Sequence, residues 1–99
     1  SLVLVASVDG NVIGMATVQT LVSTAEGGRV GLVEDVIVAR EFRGRGIGAM
    51  LLDRIDEWSR AQKLARLQLL ADYENRPALD FYSSRGWSST RLICMRKMF

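Results

Sequence analysis

The sequence predicts an α+β fold, an α/β sandwich whose mixed, mostly antiparallel sheet is joined by one central helix crossover. Three observations carry that expectation. From Leu2 to Val38 the chain is β-branched and apolar, broken by two turn clusters, Asp9-Gly10-Asn11 and Glu26-Gly27-Gly28, as in a strand meander. From about Gly46 to Lys63 the apolar residues change to helical spacing. From Leu64 to Ala71 strand spacing returns, so strand, helix and strand follow one another, and a right-handed crossover with a parallel strand pair is expected.

Each element has a local reason. Leu2 to Val8 is a strand because it is apolar and ends at a turn that tolerates positive φ. A second strand runs from about Val12 to Thr24, with Gly14 marking a bulge or a close backbone approach. The third runs from Val30 to Val38. In the helix, Ile47, Met50, Leu51, Ile55 and Trp58 form one buried stripe and the charged residues fall elsewhere, so Trp58 is a core residue. In the next strand Leu67 and Leu69 share a face. Pro77 fits the first turn of a short helix carrying Ala78, Phe81 and Tyr82, and Gly86 stops it. Trp87 onward, and Arg91 to Phe99 in particular, reads as one or two closing strands.

Composition narrows the function. Ninety-nine residues make one domain, 1–99, near the low end of sizes that hold a single core. The 13 basic residues are interleaved with 11 acidic ones, and no basic run or set of stacking aromatics accompanies them, so nucleic acid is not expected as a partner. A small anion bound locally is compatible with this charge. With no histidine and one cysteine, His-based triads, His-ligated zinc, Cys–His pairs and internal disulfides are all excluded. Cys94 is expected to be a buried, inert thiol. No stretch approaches the roughly 20 apolar residues of a membrane span, and the start has no signal-peptide pattern, so a cytoplasmic protein is expected. Ser1 stands where an initiator Met would, which suggests processing or an excerpt.

The chemistry concentrates between Glu34 and Ala49. A buried strand (Val36, Ile37, Val38) empties through a charged elbow into Gly44, Gly46 and Gly48, where the helix begins. Glycines let backbone N–H groups approach a ligand, and first-turn amides have no intrahelical acceptor, so the arrangement is suited to a phosphate-bearing ligand. Arg43 and Arg45 either add charge to that site or stay solvated while their neighbours' backbones bind. No Gly-Lys-Ser/Thr follows, and the glycine spacing 44, 46, 48 does not fit Gly-x-Gly-x-x-Gly, so neither a Walker loop nor a dinucleotide fingerprint is present.

Arg43-Gly44-Arg45-Gly46-Ile47-Gly48 resembles the Arg/Gln-x-x-Gly-x-Gly/Ala signature of the GNAT N-acetyltransferases. Val-Glu-Asp-Val-Ile-Val before it is similar to the family's central strand, Asn75 to Tyr82 to its Asn-x-x-Ala-x-x-Phe-Tyr helix, and Arg85-Gly86-Trp87 to its basic-Gly-aromatic turn. The resemblance implies acetyl-coenzyme A as co-substrate, with no metal, and a primary amine of a small molecule or peptide as acceptor. It implies that the backbones of Val36, Ile37 and Val38 pair with the pantetheine arm in a gap where this strand splays from the next. Amides from Arg43 through Ala49 (Gly44, Arg45, Gly46, Ile47 and Gly48 between them) would take the pyrophosphate. Asn75 would reach the pantetheine or a water, unless it caps the helix at Pro77, and the Tyr82 hydroxyl would protonate the leaving thiolate, unless it is a core aromatic. Glu34 is the candidate base or ammonium-binding carboxylate, since strand alternation puts it with Val36 and Val38 and turns Asp35 away.

Family members carry a strand and one or two helices before the first hairpin, and this sequence does not. A non-catalytic acyl-coenzyme A binding or regulatory module is therefore the alternative to an N-acetyltransferase. Leu2, Val3, Leu4 and Val5 are consecutive apolar residues, so a homodimer is expected, through the first hairpin or through Leu92 to Phe99.

Overall fold

In the computed structural model, which describes residues 1–99, Leu2–Val8 form β1 and Asn11–Ser23 form β2. Asp9 and Gly10 join them with φ of 49° and 79°, the paired positive values of a two-residue hairpin turn. Gly28–Val38 form β3, and after a single 3-10 turn, Arg40–Phe42, helix α1 runs Ile47–Ala61. Leu67–Leu69 form β4 and Arg76–Ser84 form α2. The sheet order is β1-β2-β3-β4, antiparallel except for the parallel pair β3 and β4. This is the α+β fold with a mixed sheet and one helix between its parallel strands. No helix is long and apolar enough to cross a membrane.

The chain divides into two units, Ser1–Leu69 and Leu70–Phe99. In the first, the core is Ile13, Ala16 and Val18 of β2, Val30 and Val33 of β3, and Leu51, Leu52 and Ile55 of α1. The buried stripe of α1 is thus Leu51, Leu52, Ile55 and Ser59, while Met50, expected inside, is 64% exposed. Spacing of three and four from Leu52 and Ile55 selects Ser59, and Met50 stands outside that arc. Gly14 proves to be a close approach: a Cβ there would lie 3.2 Å from Ile37 O and 3.3 Å from Ile47 Cγ2. The bulge sits beside it, at Ile13, because Ala6 pairs with Gly14 and Ser7 with Val12.

α1 ends in a Schellman arrangement, Lys63 N–H donating to Arg60 O and Leu64 N–H to Ser59 O, both at 3.0 Å. Lys63 takes the left-handed position at φ 57°. In the second unit the same device ends α2: Gly86 N–H donates to Ser83 O and Trp87 N–H to Tyr82 O, each at 3.1 Å, with Gly86 at φ 92°. The closing strands expected from Trp87 to Phe99 are absent, and Leu92, Ile93, Met95, Met98 and Phe99 are exposed. Apolar content alone does not make a strand; a strand needs a ladder partner for its backbone groups, and this segment has none. Cys94 lies in the same segment and is exposed, not buried.

Candidate functional site

The elbow between β3 and α1 is held by a chain of short ties. Ala39 N–H donates to Ile13 O at 2.7 Å, Phe42 N–H to Ala39 O at 2.9 Å, and Arg43 N–H to Arg40 O at 3.3 Å. Two side chains add to them: Arg43 Nε donates to Val38 O at 3.0 Å, and the Arg45 guanidinium lies 5.1 Å from the centre of the Phe42 ring. Beyond Arg43 the pattern changes. Gly44 and Gly46 adopt φ of 78° and 80°, Gly46 is the N-cap of α1 without a side-chain cap, and a Cβ at either would meet nothing within 4 Å. The first amide to find an acceptor is Met50, which donates to Gly46 O at 3.0 Å. The amides of Gly44, Arg45, Gly46, Ile47, Gly48 and Ala49 donate to nothing in the chain. Amides without acceptors at a helix N-terminus, with open space before the glycines, form a cradle for an anion. Arg43, expected to contribute its amide, has that amide tied instead.

Val36, Ile37 and Val38 lie at the end of β3, opposite Ala16, Met15 and Gly14 of β2. Because Ala39 N–H is bonded to Ile13 O, antiparallel alternation turns the backbone groups of Ile37 towards β2 and those of Val36 and Val38 away from it. Arg43 on Val38 O fits that direction. β4 pairs only with Gly31, Leu32 and Val33, so the Val36–Val38 edge has no strand beside it within this unit.

Glu34 requires a correction. Thr17 pairs with Asp35 and Val18 with Val33, so Glu34 is the extra residue of a β-bulge. Val33 and Val36 both oppose buried residues, Val18 and Ala16, and the two carboxylates between them are exposed. Glu34 therefore does not share the face of Val36 and Val38 by alternation; the bulge resets the phase. Asp35 accepts a hydrogen bond from Thr17 Oγ1 at 3.1 Å, whereas the Glu34 carboxylate has no hydrogen bond or ion pair. Thr17 and Phe42 escaped the sequence reading, since the first is brought in by strand register and the second by a loop contact.

In the second unit Asn75 is the N-cap of α2, its Oδ1 accepting from Ala78 N–H at 3.2 Å, so the capping alternative describes its side-chain oxygen. Tyr82 packs 5.4 Å from Phe81 and 6.1 Å from Trp87, ring centre to ring centre. Burial raises its phenol above the usual tyrosine pKa.

Residues 1–87 match the model of the acetyltransferase (GNAT) family. The chain is 33% identical over 84 residues to an uncharacterized N-acetyltransferase of Archaeoglobus fulgidus, covering 84% of this chain and 57% of that one. It is 27% identical over 90 residues to an uncharacterized N-acetyltransferase of Methanocaldococcus jannaschii, covering 90% and 40%. A solved structure from the mobile metagenome of V. cholerae, an integron cassette protein, superposes with a TM-score of 0.88 at 26% identity over 98% of this chain and 60% of that one. The chain thus spans about half the length of the curated relatives it matches. Sheet, crossover helix and glycine elbow agree with the family match over most of the sequence, and the chain belongs to the GNAT acetyltransferase family.

Proposed function

We propose that this chain carries the acetyl-coenzyme A site of an N-acetyltransferase, which passes the acetyl group to a primary amine of a small molecule or protein by direct attack in a ternary complex. The run of unpaired amides from Gly44 to Ala49 carries the reading, because phosphate oxygens are the acceptors such a run suits. Acetyl-coenzyme A supplies a pyrophosphate for the cradle and a thioester for the chemistry. The free backbone groups of Val36, and the N–H of Val38, are the ones available to an amide-bearing arm along the strand edge.

Transfer forms a C–N bond and breaks the C–S bond. The attacking nitrogen gives up two protons, the first to a base as the ammonium becomes an amine and the second as the amide forms, which makes good the proton delivered to the thiolate. Tyr82 is the proton donor in this reading, since a phenol is protonated at neutral pH and can pass that proton to a leaving thiolate. Glu34, exposed and without a partner, takes the ammonium's proton or binds its charge. The names of the N-acetyltransferase relatives support acetyl transfer to nitrogen. Purified protein mixed with acetyl-coenzyme A and a panel of amines should release thiol only when a suitable amine is present. Binding of coenzyme A with no amine-dependent release would favour a non-catalytic acyl-coenzyme A module.

A further inference from the structure

Along the loop that feeds the cradle, Ala39, Phe42 and Arg43 have their amides bonded, and from Gly44 to Ala49 none is. Arg43 stands at that junction. Its Nε–H points back to Val38 O at 3.0 Å, and Val38 O is one of the backbone groups turned away from β2. Gly44 and Gly46 follow, each in the left-handed region and each with more conformational freedom to lose than any other residue type. A loop of that kind holds six amides in one array only if something fixes the chain entering it. Arg45, over the Phe42 ring, ties the loop at a second point.

We propose that Arg43 is a positioning residue, which braces the elbow through Val38 O and so sets the amide cradle, and is not a ligand of the phosphate. The inference rests on reading the cradle as the coenzyme A site. Its chemical basis is the donor used. The side-on fork by which a guanidinium grips a phosphate employs Nε together with a terminal nitrogen, and here Nε is spent on a carbonyl. The brace also removes Val38 O from the acceptors open to a ligand arm and leaves the N–H and C=O of Val36 as the complete pair on that edge.

Two substitutions separate donor from charge. Arg43→Met keeps length and removes both, while Arg43→Gln restores an N–H donor without the charge. Coenzyme A affinity, measured by calorimetry across a salt series, should fall about 10-fold in the Met variant, the scale of losing one charge-assisted hydrogen bond. The Gln variant should recover most of that loss, with the same salt dependence as the parent. Equal weakness of Gln and Met, with a flatter salt dependence in both, would assign Arg43 to the phosphate and overturn the brace. A second measurement needs no ligand: amide order parameters at Gly44 and Gly46 should drop in the Met variant and return in the Gln variant. Unchanged order parameters in the Met variant would also overturn it. A parent protein that fails to bind coenzyme A would sink the functional reading, and the order parameters would still decide the role of Arg43.

Discussion

At Tyr82, packing and chemistry make one prediction together. The ring is held between Phe81 and Trp87, and burial raises the phenol's pKa, whereas Tyr73 is almost fully exposed. Because the folded-state value lies above the unfolded one, stability from the protonated phenol is present in full below about pH 10 and is lost as pH rises through the folded value. Absorbance titration of the parent against Tyr82→Phe should show the variant losing a phenol that ionises above the usual tyrosine value. In the proposed reaction the same variant should lose turnover by about 10²- to 10⁴-fold with nearly unchanged coenzyme A affinity. An unchanged rate would return Tyr82 to a packing role. The candidate residues differ in how legible they were. Gly44, Gly46 and Asn75 announce themselves by local backbone chemistry, since positive φ and helix capping need only near neighbours in sequence. Glu34 does not, because its orientation depends on a bulge set by register against β2, about 17 residues away by chain.

The elements show the same division. Hairpin turns and helix ends were readable from Asp9-Gly10, Pro77 and Gly86, and the crossover from the change in hydrophobic period. The closing strands were not, because an apolar segment such as Leu92–Phe99 has strand composition whether or not a ladder partner exists. Within α1, Ser59 marks a polar residue on the buried stripe; it is 5% exposed and its Oγ has no hydrogen-bond partner. A buried hydroxyl without a partner costs about 1–3 kcal/mol, and Ala is also the better helix former. Ser59→Ala should therefore stabilise the protein by about 1 kcal/mol, after allowing for the small void left, as a rise in the midpoint of urea unfolding. A lower midpoint would mean that the hydroxyl is satisfied in solution.

For the whole molecule, the apolar surface left at the sheet edge bears on assembly. β1 is an outer strand without charge or proline, and Val3 and Val5 are 65% and 59% exposed. Natural sheets guard such edges, and we propose that this one pairs with a second copy. Light scattering at micromolar concentration should give a mass above the monomer, reduced by the double substitution Val3→Thr and Val5→Thr; a monomeric parent would contradict this. The central claim, that the elbow binds the phosphates of coenzyme A, is tested most directly by amide NMR shifts during titration with coenzyme A. The largest changes should fall on Gly44 through Ala49, with smaller ones at Val36 and Val38, and should vanish in Gly46→Asp. Gly46→Asn serves as the control, since it bears the same left-handed backbone strain without the charge. Saturable binding that leaves the amides of Gly44 to Ala49 unshifted would contradict the account.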